Sequence, residues 1–183
     1  MTISSRIAMA AALFVAATAP ARAQFGGGSL HGTAVSVGVS APTGDFGKSV
    51  QTGFGISVNT GVGNPGEAWS GRGTFGFDRF GGTGTLNSVQ FISFGGDFVH
   101  NSTGTWYQFA GLGLSGTTYD FKSSVDAGVA RRSNGQNFGL RGGFGFNFGS
   151  TDGAHAVLEF SAMTVFTTGG TSTWFPVRFG LQF

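Results

Sequence analysis

The sequence has no cysteine, so neither a disulfide nor a thiolate-bound metal is open to it, and its redox compartment cannot be read from sulfur. Charge is scarce as well: Asp, Glu, Lys and Arg make up 10% of the 183 residues. Also missing is any stretch with a 3.6-residue apolar period, which sets aside amphipathic helices and the bundles built from them. A long hydrophobic run is missing too. The apolar stretch at 7–19 is shorter than the roughly 20 residues a membrane-crossing helix needs, and Pro20 interrupts it. What replaces these is glycine, 35 residues of it, with 21 Phe and abundant Ser, Thr and Asn, so that the mean hydropathy is only +0.13. That mixture suits neither a soluble helical domain nor a helical membrane protein.

Residues 1–23 have the layout of a cleavable export signal, which is the expected reading. Arg6 supplies the positive start, 7–19 the apolar centre, and Ala21, Arg22 and Ala23 a small-residue cleavage site ahead of Gln24. Loss of this segment takes Arg6 and Arg22 with it, leaving eight basic against eight acidic residues. Without a net positive charge or a basic patch, binding to nucleic acid is not expected.

Beyond a short Gly-rich segment at 24–30, the domain expected over 31–183 alternates with a period of two. Turn-rich breaks divide it into eight strands at about 31–41, 53–62, 69–80, 88–100, 105–119, 136–148, 155–167 and 174–183. Each has at least the roughly nine to eleven residues that carry a tilted strand across a bilayer. In the last strand Phe175, Val177, Phe179, Leu181 and Phe183 share one face, while Pro176, Arg178, Gly180 and Gln182 share the other. The sixth sets Phe138, Leu140, Phe144, Phe146 and Phe148 against Gly139, Arg141, Gly143, Gly145 and Asn147. Met163 and Val165 break the pattern by lying on the polar side of the seventh.

A soluble β-sandwich alternates too, but its second face meets water and collects charge. Here that face is Gly-rich and poor in charge, which predicts an all-β, eight-stranded, antiparallel up-and-down transmembrane barrel with a filled polar and Gly-rich interior. With the N-terminus in the periplasm, the breaks at 62–68, 101–104 and 149–154 face that compartment, and those at 42–52, 81–87, 120–135 and 168–173 face outward. Trp69 and Trp106 are expected at the periplasmic rim and Trp174 at the outer rim, as an aromatic belt.

These residues resemble the eight-stranded outer-membrane barrel superfamily that includes the OmpA transmembrane domain, OmpX and the opacity-type proteins. The most specific element is the terminal strand, Phe175 to Phe183. It is similar to the signal read by the barrel-assembly machinery, with alternating Phe175, Val177, Phe179, Leu181 and a final Phe183. The resemblance implies a monomer in the bacterial outer membrane, reached through the periplasm, with lipid and lipopolysaccharide as its surroundings. No peptidoglycan-binding domain of the OmpA type follows, so wall anchoring is not expected.

Inside the expected barrel, Arg72, Arg141 and Arg178 balance Asp78, Asp97 and Glu159. An isolated charge in a low-dielectric interior is costly, so mutual pairing into a structural plug is expected; the alternative is a gate for small solutes. His100 two residues before Ser102 resembles the His-x-Ser of outer-membrane lipid A deacylases. The pair falls on a periplasmic turn, however, while lipid A lies in the outer leaflet and Glu159 is assigned to the lumen. The bland reading, an interfacial His beside a polar turn, is preferred. His31, His100 and His155 are scattered without metal-ligand spacing, and the many G-x-G triplets lie within strands, so neither a metal nor a nucleotide cofactor is expected. Lys122, Arg131 and Arg132 in the third outward loop could meet lipopolysaccharide phosphates. The expected role is non-enzymatic, structural or surface contact, with a narrow channel or carrier as the runner-up.

Overall fold

The computed structural model describes residues 29–63, 68–101, 105–122, 131–149, 154–167 and 170–183, without the side chains of 29–31, 63 and 131–135. The expected signal and most of the Gly-rich segment lie outside the described residues, as does Ser102. Eight antiparallel strands follow one another around a closed barrel. They are β1 (Ser29–Thr43), β2 (Val50–Gly63), β3 (Trp69–Gly82), β4 (Leu86–Asn101), β5 (Trp106–Phe121), β6 (Arg131–Phe148), β7 (His155–Thr167) and β8 (Gly170–Gln182). Each pairs with its sequence neighbour, and β8 returns to β1 through a ladder from Ala34↔Gln182 to Thr43↔Thr173. Phe183 extends that seam by exchanging two 3.0 Å backbone bonds with Thr33. At the β1 bulge between His31 and Thr33, Gly32 takes a φ of 61°, a left-handed conformation that other residues avoid.

The alternation has one consequence for solvation. Val37, Phe54, Phe94, Leu112, Leu140, Phe166 and Phe179 all project from the barrel wall and are exposed, Phe98 to 75%. An apolar girdle running round a closed sheet is far larger than the patches a water-soluble monomer tolerates, and it matches hydrocarbon instead. The terminal-strand residues Phe175, Val177, Phe179, Leu181 and Phe183 all belong to this outer face. Backbone groups within it must find partners in the sheet, which is why closure is needed. Irregularities at His31/Thr33, Val50/Gly53, Leu86/Ser88 and Gly116/Thr117 lie towards the strand ends, whereas between β7 and β8 the pairing passes mid-wall from Phe160↔Val177 to Met163↔Trp174 and skips Ser161 and Ala162. Pro176 stands opposite that gap and has no N–H to donate.

The strands run further than the apolar alternation suggests. β5 and β6 stay paired up to Asp120↔Arg131, so Arg131 and Arg132, expected in a loop over 120–135, open β6 instead. The cause is backbone pairing through a polar, β-prone stretch, Thr117, Thr118 and Tyr119, which shows no apolar periodicity. On the neighbouring wall, Ser88 and Gln90 donate to Asp120 Oδ2 at 3.0 and 3.2 Å.

The break expected as a loop over 42–52 also contains structure, a helix α1 (Gly44–Ser49). Gly44, with φ 60°, turns the chain out of β1, and Thr43 provides no side-chain cap. Ser49 O and Lys48 O accept from Thr83 N and Thr83 Oγ1 at 3.0 and 3.2 Å, tying the end of α1 to the β3–β4 turn. Lys122 Nζ reaches Gly84 O in the same turn at 2.8 Å. This end of the barrel is called the helix end below, and the other, where the described chain begins and finishes, the terminal end.

Candidate functional site: a lumen filled in two ways

The inward residues of β3, β4, β6, β7 and β8 bring all six expected lumen charges inside the barrel. They form two groups. Nearer the terminal end, Arg72 Nε donates to Asp97 Oδ2 at 2.8 Å across the β3–β4 ladder, and Arg72 Nη1 crosses the lumen to Glu159 Oε2 at 2.7 Å. Arg141 Nη2 donates to the same Asp97 oxygen at 2.7 Å and lies 3.8 Å from Glu159 Oε1. Two cations and two carboxylates thus close a ring across the barrel. In the second group, Arg178 Nη2 contacts both oxygens of Asp78 at 2.8 and 2.7 Å, and Ser40 Oγ adds a 2.7 Å bond to Asp78 Oδ1. Such charges are tolerated away from water only because each is paired and hydrogen-bonded.

Aromatic rings complete the first group. Tyr107 donates its hydroxyl to Glu159 Oε2 at 3.2 Å, and the Phe109 ring lies 4.3 Å below the Arg72 guanidinium and 5.0 Å from that of Arg141. The quadrupole of a ring face attracts a desolvated cation, so Phe109 supports both arginines. Glycine makes the room: a Cβ on Gly111 would collide with the Asp97 carboxylate, and one on Gly145 with the Tyr107 ring. Sequence reasoning did not single out Tyr107, Phe109 or Ser40. Parity would have found them, because Tyr107 and Phe109 alternate with Ala110 and Leu112, and Ser40 shares the face of Ser36.

Towards the helix end the filling changes in kind. Phe46, Val50, Phe80, Val89, Phe91, Met163, Val165 and Trp174 form one buried apolar cluster inside the barrel. The interior is therefore not polar throughout, as expected, but stratified. Met163 and Val165, the two exceptions to the alternation, belong to this layer. Trp174 corrects a further expectation: it does not face lipid at the outer rim but is 0% exposed, with its ring centroid 4.6 Å from Phe91 and 5.6 Å from Phe80. Its parity is that of Pro176 and Arg178, and that alternation outweighs the preference of an indole for an interface. Phe46 comes down from α1 onto the same rings, 5.1 Å from Phe80.

The other sequence candidates are separate from this interior. Trp69 is 65% exposed and packs its ring 4.5 Å from His100, while Trp106 is half-buried on the face of Ala110 and Leu112. His100 thus sits against Trp69, while Glu159 is bound to Arg72 and Tyr107 in the lumen. Lys122 is exposed at the helix end, where Arg131 and Arg132 begin β6.

No family model and no curated protein matches this sequence. Solved structures do match in shape. The chain superimposes on Neisserial surface protein A with a TM-score of 0.63 at 14% identity, over 85% of this chain and 97% of that one. The fold is that of the eight-stranded outer-membrane barrels. Ail, the attachment invasion locus protein of Yersinia pestis, solved in complex with the heparin analogue sucrose octasulfate, gives 0.61 at 15% identity over 84% and 99%. The N-terminal β-barrel domain of Pseudomonas aeruginosa OprF gives 0.59 at 10% identity over 84% and 98%. Identity this low carries architecture alone, so what a barrel of this shape does must be argued from its own lumen and ends.

Proposed function

We propose that this chain is a closed, non-enzymatic outer-membrane barrel that contributes to the cell envelope and presents its helix end to the exterior. The observation that carries this reading is the filled lumen. Between the Arg141 and Arg178 heads the interior holds a void of about 20 Å³, room for a single water and not for a file of them. Below it the ring of Arg72, Asp97, Arg141 and Glu159 spans the barrel, and above it the aromatic layer does so. Eight strands leave an interior just wide enough for such side chains. A solute path would have to break these ion pairs and leave their charges buried without partners.

On this reading residues 1–23 direct export, the barrel-assembly machinery reads the terminal strand, and the mature chain resides as a monomer in lipid and lipopolysaccharide. Lys122, Arg131 and Arg132, at the helix end, supply cations for lipopolysaccharide phosphates. Planar-bilayer recording of the pure refolded barrel tests closure: a flat baseline is expected, and discrete single-channel steps would favour the channel reading. Orientation is tested separately. Because the chain lacks cysteine, Lys48→Cys gives a single thiol at the helix end, expected to react with an impermeant maleimide on intact cells. Labelling only after the outer membrane is breached would reverse the assignment.

A further inference from the structure

The helix end holds a cavity that the closed lumen does not explain. Beside α1 lies an open cup of about 820 Å³, within the size range of small-molecule sites. Its lining is apolar at Val50, Leu86, Val89 and Phe121 and polar at Thr43, Ser172 and Thr173. Phe46 belongs to both compartments: it lines the cup and also seals the aromatic layer beneath.

The aromatic layer contains a polar atom without a partner. Trp174 Nε1 is buried and no acceptor reaches it. A buried N–H left unpaired is uncommon and costly, and in native structures calls for an explanation. The Phe46 ring, 6.1 Å from the indole between centroids, offers it no oxygen. Phe46 itself is held over the layer by edge contacts with Phe80 and Phe91. Its helix is fixed at the far end through Thr83, while the near end turns on Gly44, whose Cβ position meets nothing within 4 Å.

From these three features we infer that the cup admits a small apolar molecule bearing a hydrogen-bond acceptor, that its site is the place the Phe46 ring now fills over the aromatic layer, and that Phe46 is its built-in stand-in. The ligand's apolar body replaces the Phe46 ring over Phe80, Phe91 and Trp174, its acceptor takes the Trp174 indole N–H, and the displaced ring moves into the cup. Nothing in this depends on which end of the barrel faces outward, so it stands or falls apart from the orientation and the conductance.

The test uses the full barrel in lipid nanodiscs with ¹⁵N-labelled tryptophan, acetophenone as the acceptor-bearing probe and ethylbenzene as its acceptor-free counterpart. The indole signal of Trp174, assigned by its loss in Trp174→Phe, is expected to move downfield and saturate with acetophenone, and to saturate without that downfield move with ethylbenzene. Trp69 and Trp106 should show only a linear drift from probe dissolved in the bilayer. Phe46→Ala, with no ring to displace, should bind about tenfold or more tightly, since burying an aromatic ring is worth at least that factor. Phe46→Leu should fall between. Heat-dependent gel mobility confirms that each variant is folded. A linear drift shared by all three indoles overturns the site, and saturation with equal affinity in wild type and Phe46→Ala overturns the role given to Phe46.

Discussion

The two halves of the lumen face the same problem, filling a narrow tube of sheet, and meet it with opposite chemistry. At the terminal end Arg72, Asp97, Arg141 and Glu159 bridge between strands distant in sequence, in directions fixed by hydrogen-bond geometry. At the helix end Phe46, Phe80, Phe91 and Trp174 fill by contact, with ring angles from 34° to 86° and no directional partner. An ionic layer resists the wrong arrangement strongly, because any mispairing leaves a charge buried. A packed aromatic layer adds burial but tolerates adjustment. The difference assigns closure specificity to the first and adaptability to the second, and it is the adaptable half that adjoins the open cup.

The comparison breaks most readily at Asp97. Asp97→Ala leaves Arg72 and Arg141 without their shared carboxylate, and the expected loss is about 3–5 kcal/mol in urea titrations of the barrel in vesicles. A loss below about 1 kcal/mol would show that the ring is not a structural element. Next comes a pair of variants at the second ionic group. Arg178→Met alone strands Asp78 and should cost about 3–5 kcal/mol, whereas Arg178→Met with Asp78→Leu should return to within roughly 1 kcal/mol of wild type. A double variant as unstable as the single one would mean that the pair supplies stability and not only specificity. In the apolar half, Phe46→Ala should cost about 1.5–3 kcal/mol by the same titration, less than either charge deletion. The smallest effect is expected at the rim, where Lys48 Nζ and Asp45 Oδ1 pair at 2.7 Å with side chains 79% and 93% exposed. Lys48→Ala should change stability by no more than roughly 0.5 kcal/mol, and added salt should erase the difference.

Which residues face lipid and which face inward was legible in the sequence, because a strand's side-chain period of two leaves no freedom once a few positions are fixed. That logic placed all six charges inside. It could not say that Arg178, opposite Glu159 in the β7–β8 ladder, would reach across to Asp78 while Glu159 turns to Arg72. Partner choice across a lumen depends on strand tilt and stagger, which no local pattern encodes. Trp174 was misplaced by giving a residue-type preference more weight than its parity. Helix α1 was hidden because Gly-Asp-Phe-Gly-Lys-Ser is too short for a helical period to show and carries two glycines. The strand ends were hidden because polar residues extend a ladder without any alternation of hydropathy.

Pro176 leaves one panel of the wall unlatched. Opposite it, Ser161 and Ala162 drop out of the β7–β8 pairing because Pro176 has no N–H to give its partner strand, and just outside lies a notch of about 320 Å³ bounded by Phe144, Phe160 and Phe175. Acyl chains can settle into that notch, but hydrocarbon offers no hydrogen bond in place of the missing one. Breathing of the cylinder should therefore start along this line, and deuterium should enter there sooner than across the fully stitched β3, β4 and β5.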